Sequence, residues 1–92
     1  ALIFMAWTAR LSHQAQKQLA RLPQDLQARI ARAIDELEVD PFRGDVLALK
    51  SKKWRGAFRK RVGRFRIIFR LNKEAGLVEI ALIERRTEKT YR

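Results

Sequence analysis

The sequence contains no cysteine, and only one of its 92 residues is a histidine. Without cysteine the chain cannot form disulfides, thiolate zinc sites or iron–sulfur clusters, and it has no thiol nucleophile. A lone histidine, His13, leaves a histidine metal site or a Ser-His triad without its partners. The longest apolar run near the start, residues 1–7, is too short to span a bilayer. We therefore expect a cytoplasmic protein with no metal, no small-molecule cofactor and no membrane partner.

The length fits one domain, which we assign to residues 1–92. Apolar residues make up 47% of the chain and charged residues 34%, which is the balance of a folded domain and not of a disordered tail. A domain of this size buries roughly 60–65% of its unfolded-chain surface. That is enough for one modest core.

The positive charge is confined to one half of the chain. Residues 1–49 carry six Lys/Arg and six acids, whereas residues 50–92 carry fifteen Lys/Arg and four acids, so the second half holds the whole net charge of +11. Such a field attracts polyanions, which could be nucleic acid, an anionic membrane surface or an acidic protein. A merely solubilising face is a weaker interpretation, because uncompensated charges repel each other and oppose folding.

The first half predicts one strand and two helices. Both alternating sets of residues 1–7 are apolar, as in a strand that is covered on both faces, and Thr8 is a plausible N-cap for the helix that follows. From Leu11 the apolar spacing is helical until Pro23, and a second amphipathic helix follows it and ends before Asp40. Two helices with so short a link form an antiparallel hairpin.

The second half predicts an antiparallel sheet with one basic face. Residues 42–49 are interpreted as a connection, and strands are predicted at 58–62, 64–71 and 77–84. If the helices cover the face of Phe65 and Val78, period-two alternation places four arginines on the other face: Arg59, Arg61, Arg66 and Arg85. The predicted fold is α+β, with an N-terminal strand and the helical hairpin packed on one face of a small, mainly antiparallel sheet of about four strands.

A run of cations around an aromatic residue precedes the first of these strands. It contains Lys50, Lys52, Lys53, Trp54 and Arg55. Such a run is either a solvated loop or a binding segment for single-stranded nucleic acid, in which the ring stacks on a base and the cations bind phosphates. The sequence leaves both interpretations open.

RNA can be cleaved without a metal if its own 2′-hydroxyl attacks the phosphate. The protein must then deprotonate that hydroxyl, stabilise charge on the phosphorane and protonate the leaving oxygen. Clustered cations stabilise the phosphorane directly, and they lower the pKa of a nearby phenol. The only tyrosine of the chain, Tyr91, lies beside several arginines in sequence, although a lone tyrosine is more often a packing residue.

One segment carries a family resemblance, FRKRVGRFRIIFRLNKEAGLVEIALIERRTEKTY. It resembles the RelE branch of the RelE/ParE toxin superfamily, whose members show an R-x-R-V-G-x-Y-R-I-I-Y hairpin, an Arg-rich segment and a late Tyr. The N-terminal helical pattern is similar too. The resemblance implies a small α+β toxin of a type II toxin–antitoxin pair, which cuts mRNA in the ribosomal acceptor site and is held by a cognate antitoxin.

The resemblance also implies roles for individual residues. Arg59 and Arg61 match paired cations that contact the phosphate, and Arg66 matches a transition-state contact. Arg85 matches the candidate acid for the leaving group, with Arg86 as the alternative, and Tyr91 matches the residue that orients or activates the 2′-hydroxyl. Contacts with mRNA and with ribosomal RNA of the small subunit are expected from Lys50, Lys52, Lys53, Trp54, Arg55, Arg64 and Arg86.

Two other functions fit the same fold or the same charge. A ParE-like toxin inhibits DNA gyrase without cutting RNA, and a plain RNA-binding module binds RNA with a steep salt dependence and leaves it intact. A pure binder has no need of a tyrosine beside a cationic pocket of phosphate size.

Overall fold

A computed structural model describes residues 7–86 of the chain. Two helices and five strands follow one another as β1 (Thr8–Leu11), α1 (His13–Ala20), α2 (Gln24–Val39), β2 (Val46–Ala48), β3 (Phe58–Val62), β4 (Phe65–Asn72) and β5 (Leu77–Arg85). The strands form one sheet in the order β1-β5-β4-β3-β2, in which β1 runs parallel to β5 and the other neighbours are antiparallel. The α+β class is confirmed, with five strands instead of about four.

The N-terminal strand lies later in the chain than predicted. Thr8 is the first residue of β1 and not a helix cap, and residues 1–6 of the predicted strand lie outside the described residues. Leu11 still pairs with Ile80 of β5, so the helix cannot begin before Ser12. The Ser12 hydroxyl accepts a hydrogen bond from the backbone N–H of Ala15 at 3.0 Å and is the N-cap of α1.

The predicted connection at residues 42–49 contains the short edge strand β2, which pairs with β3. Its three residues, Val46, Leu47 and Ala48, are all apolar, so no alternation marks them as a strand. Within residues 7–86, neither helix has the length and apolarity that crossing a membrane requires.

The core lies between the helices and one face of the sheet. Ile67 and Phe69 of β4 are fully buried there with Ile30 and Leu37 of α2, as the alternation of β4 predicts. Lys60 of β3 also projects to this side and is buried. Its Nζ donates to Glu36 Oε1 at 2.7 Å and to the carbonyl oxygen of Arg43 at 3.2 Å. We call the opposite side of the sheet the arginine face.

A β-bulge in β5 changes which of its residues point to the core. Ile68 pairs with Leu82, but Phe69 pairs with Ile80, so Ala81 is the extra residue. Beyond it the alternation is reversed, and Ile83 instead of Leu82 lies on the core side, opposite Ile67. Helix α1 supports the bulge because the Ser12 hydroxyl donates to the Ala81 carbonyl at 2.7 Å, and because Gln18 Oε1 accepts from the Ile83 N–H at 2.8 Å.

Candidate nucleic-acid interface

Four arginines from three strand ends meet on the arginine face. Arg61 of β3 lies directly opposite Arg66 of β4, and Arg59 lies two residues before Arg61 on the same side. Arg86 follows β5, and its N–H donates to the carbonyl oxygen of Arg64 at 2.6 Å, which holds it at the same end of the sheet. We call Arg59, Arg61, Arg66 and Arg86 the arginine cluster. The structure places Arg59, Arg61 and Arg66 as the alternation predicts, and their roles stay predictions.

Asp45, just before β2, holds two members of the cluster. Its Oδ1 accepts from Arg59 Nη1 at 3.0 Å, and its Oδ2 lies 3.6 Å from Arg61 Nε. Its carbonyl oxygen accepts from the Arg61 N–H at 2.9 Å and again from Arg59 Nη1 at 3.2 Å. The hydrogen bond from Arg59 is the main reason that the pKa of Asp45 is lowered below its usual range, so this carboxylate is charged at neutral pH.

Glu84 of β5 holds a third member. It lies directly opposite Arg66, whose Nε donates to Glu84 Oε1 at 2.6 Å, and Arg66 Nη2 contacts the same oxygen. The two side chains are about a quarter and a third exposed, so solvent and ions still reach the pair. Sequence reasoning missed both acids. Asp45 lay in the predicted connection, and the pairing of Glu84 with Arg66 follows only once the bulge at Ala81 is known.

Arg86 reports the positive potential of the cluster. Partial loss of hydration lowers the pKa of Arg86 below the ordinary arginine value, and repulsion from Arg61 and Arg59 lowers it further. Repulsion from the other three arginines therefore outweighs the attraction of Asp45 at this position. A bound phosphate would relieve that repulsion, and guanidinium groups bind phosphate oxygens in a bidentate manner.

The predicted placement of Arg85 on the arginine face is wrong. Because of the bulge, Arg85 lies opposite Phe65 and projects on the core side of the sheet. There it borders a cavity of about 290 Å³ between α2 and the turn from β3 to β4, whose floor includes Leu26 and Val62. Arg64 lies in that turn and borders the same cavity, so the alternation predicted for β4 does not extend to it.

The cationic run before β3 forms a loop with Trp54 at its centre. The Trp54 ring is half-buried, with Lys53 Nζ 5.5 Å and Arg70 Cζ 5.2 Å from the ring centre. Arg70 Nη2 also donates to the Lys53 carbonyl at 3.3 Å and thereby ties the loop to β4. The other cations of the run are exposed, namely Lys50, Lys52 and Arg55. RNA binding by this loop stays a prediction.

Tyr91 lies outside the described residues, so the structure does not place it against the cluster. Among residues 7–86 there is no group of three or more His, Cys, Asp and Glu side chains that could hold a metal ion. The described part of the site thus consists of four arginines and two acids. Its arginines can bind an anion.

Residues 9–90 match the family model described as the ParE toxin of the type II toxin–antitoxin system parDE. The chain belongs to this toxin family. Comparison with curated proteins gives no match. Among solved structures, the toxin is similar to a chain of the RelBE2 toxin–antitoxin complex from Mycobacterium tuberculosis, with 27% identity and a TM-score of 0.78 over 88% of this chain and 99% of the other.

Two further structures share the fold of the toxin. A chain of the archaeal RelE–RelB complex from Pyrococcus horikoshii is 25% identical, with a TM-score of 0.75 over 90% of this chain and 98% of the other. The YoeB/ParE toxin from Agrobacterium tumefaciens is 15% identical, with a TM-score of 0.74 over 87% and 99%. The toxin is therefore a member of the RelE/ParE superfamily, and its structural relatives carry both RelE and ParE names.

Proposed function

We propose that this toxin stops translation by cutting mRNA in the ribosomal acceptor site. The observation that carries the proposal is the arginine cluster, in which four guanidinium groups converge on one open face of the sheet. Three of these arginines, Arg59, Arg61 and Arg66, stand at positions to which the resemblance to RelE toxins assigns contacts with the phosphate. Because ribosomes are the target, the proposal places the toxin in the cytoplasm.

The proposed reaction is an attack by the 2′-oxygen of one nucleotide on the phosphorus that follows it. The bond from phosphorus to the 5′-oxygen breaks, which leaves a 2′,3′-cyclic phosphate on one fragment and a 5′-hydroxyl on the other. The cluster would hold the phosphate and stabilise the charge that develops on the phosphorane. No step requires a metal, because the nucleophile belongs to the RNA.

Proton transfers are assigned to residues at the end of the chain. Arg86, and not Arg85, would stand near the leaving 5′-oxygen, because only Arg86 belongs to the cluster. Arginine is a poor base, because its guanidinium group is effectively always protonated. Tyr91 would therefore orient or activate the 2′-hydroxyl, as the family resemblance implies. Contacts with ribosomal RNA would come from the loop of Lys50, Lys52, Lys53, Trp54 and Arg55, and from Arg64 in the turn between β3 and β4.

The membership in a type II toxin–antitoxin family gives the toxin a cognate antitoxin. Similar chains have been solved in complex with their antitoxins, among them the one from Mycobacterium tuberculosis. We propose that the antitoxin of this toxin uses an acidic or amphipathic helix to cover the arginine face or the helical hairpin. Such a helix would neutralise charge that is concentrated at the site.

A primer-extension map of mRNA in a translating extract tests the proposed cleavage. We expect cuts within ribosome-occupied codons that disappear when initiation is blocked, and about a tenfold or greater loss of cutting for Tyr91→Phe. Inhibition of gyrase supercoiling with intact mRNA would contradict the proposal and establish the ParE-like function, which the name of the matching family model favours. If the toxin binds RNA but neither cuts mRNA nor inhibits gyrase, its function would be that of a plain RNA-binding module.

A further inference from the structure

The Asp45 carboxylate pairs with two of the four guanidinium groups that the proposed site offers to phosphate. It accepts from Arg59 at 3.0 Å and lies 3.6 Å from Arg61. Its position is set by the backbone, because the Asp45 carbonyl oxygen binds the Arg61 N–H and the Arg59 guanidinium independently of the carboxylate. Asp45 is therefore an anion built into the cation site and held there by the hydrogen bond of its own backbone carbonyl to β3.

Arg59 has little freedom to bind a phosphate elsewhere. Its side chain is 13% exposed, whereas the Asp45 side chain is 48% exposed. A carboxylate and a phosphate accept hydrogen bonds from a guanidinium group in the same geometry, so the two anions compete for the same donors. A phosphate that binds Arg59 would therefore have to displace the more exposed Asp45 carboxylate.

We propose that Asp45 is a specificity residue, which competes with RNA phosphate for Arg59 and Arg61 and so favours ribosome-bound mRNA over free RNA. The inference rests on the proposed function. Free RNA must displace the carboxylate without any contribution from the ribosome. An mRNA in the ribosome is also held by the ribosome, and contacts of the toxin with ribosomal RNA add to binding. The competition costs both RNAs the same binding free energy, so it discriminates at toxin concentrations at which the ribosomal contacts keep ribosome-bound mRNA saturated and free RNA is not.

The charge of Asp45 can be removed without removing its backbone contacts. Asp45→Asn keeps an oxygen that accepts from Arg59, and it keeps the carbonyl that binds Arg59 and Arg61. For an exposed charge about 5 Å from a bound phosphate, we expect free RNA to bind about five- to tenfold more tightly to this variant. Asp35→Asn is the matched control, because it removes the same charge from an exposed position on α2.

The experiment measures the binding of a short, fluorescently labelled single-stranded RNA to the whole toxin by anisotropy. We expect the five- to tenfold gain for Asp45→Asn and less than about a twofold gain for Asp35→Asn. Equal gains for the two variants would overturn the inference, because the effect would then be one of net charge. Circular dichroism checks that each variant is folded. If Asp45→Asn is not folded, Asp45→Ser, which is also neutral, takes its place.

Cleavage of the same sequence, free and in the ribosome, tests the specificity itself. At a toxin concentration that saturates programmed ribosomes but not free RNA, we expect Asp45→Asn to raise the rate on free RNA relative to ribosome-bound RNA by about fivefold, and an unchanged ratio would overturn the inference. If no variant cuts RNA, the proposed function fails, while the binding experiment still decides whether Asp45 competes with phosphate. If the wild type cuts mRNA but Asp45→Asn binds RNA like Asp35→Asn, the inference alone fails.

Discussion

Arg85 lies opposite Phe65 in the pairing of β5 with β4, so it projects from the core side of the sheet, whereas Arg86 joins the arginine cluster on the other side. The extra residue at Ala81 produces this arrangement. Without it, the alternation of β5 would exchange the two arginines between the faces. The composition of the candidate site therefore depends on a bulge that lies several residues away.

Separate alanine substitutions of Arg85 and Arg86 test this assignment. We expect Arg86→Ala to lower the rate of mRNA cleavage by about a hundredfold, because it removes one hydrogen-bond donor that would stabilise the charge developing on the phosphorane. Arg85→Ala should lower the rate by less than about fivefold, since Arg85 faces the cavity beside α2. The measurement is the cleavage rate in a translating extract at one toxin concentration. The opposite order of effects would show that the bulge does not place Arg86 in the site.

Ser12 is expected to be important for stability because one hydroxyl makes two contacts. It accepts from Ala15 as the N-cap of α1 and donates to the Ala81 carbonyl in the bulge. We expect Ser12→Ala to lower the free energy of unfolding by about 1–2 kcal/mol in urea denaturation. Ser51→Ala is the control, because Ser51 accepts only a long hydrogen bond from Trp54 N in an exposed loop. A loss for Ser51→Ala as large as that for Ser12→Ala would contradict the account.

The ion pair of Lys60 with Glu36 predicts which of two substitutions lowers the stability more. We expect Glu36→Gln to lower the free energy of unfolding by about 1–3 kcal/mol, because it leaves the Lys60 charge buried without a counter-charge. Lys60→Met should cost less, since it removes the buried charge itself and keeps an apolar side chain of similar length. Urea denaturation at neutral pH measures both. A larger loss for Lys60→Met than for Glu36→Gln would contradict this interpretation.

The same pair predicts how stability depends on pH. The hydrogen bond and charge of Lys60 lower the pKa of Glu36 below its ordinary value of 4.5. The folded protein therefore releases the Glu36 proton at a lower pH than the unfolded chain does, and the pair stabilises the fold fully only above about pH 4.5. We expect the difference in stability between wild type and Glu36→Gln to shrink as the pH falls through the lowered value. A difference that is constant from pH 7 to pH 3 would argue against the ion pair.

Gly63, in the turn between β3 and β4, has both a positive φ of 58° and a close neighbour. A Cβ at this position would lie 3.3 Å from the Arg29 guanidinium. Gly76 has a φ of 67° with nothing within 4 Å of such a Cβ, so it controls for the backbone conformation alone. We expect Gly63→Ala to cost about 0.5–1 kcal/mol more than Gly76→Ala in thermal or urea unfolding. Arg29→Ala should remove that difference, and a difference that survives it would have another cause.

Several parts of the molecule could be predicted because one pattern dominates them. In β4 every second residue is apolar and the others include Arg66 and Arg70, so only one register buries the apolar set. In β3 the same kind of alternation directs Lys60 to the core side, opposite to Arg59 and Arg61. The bulge could not be predicted, because β5 has apolar residues at both phases around Ala81 and no polar residue marks the change. Asp45 was missed for a similar reason, since β2 is too short to show a period.

The central claim is that the arginine cluster holds the scissile phosphate of ribosome-bound mRNA. Its most direct test is the single-turnover cleavage of mRNA on purified, programmed ribosomes by wild type, Arg61→Ala and Arg21→Ala, where Arg21 is an exposed arginine at the end of α1. We predict about a hundredfold slower cleavage for Arg61→Ala, less than about a twofold change for Arg21→Ala, and a 2′,3′-cyclic phosphate on the upstream fragment. Equal rates for the two variants would contradict the claim.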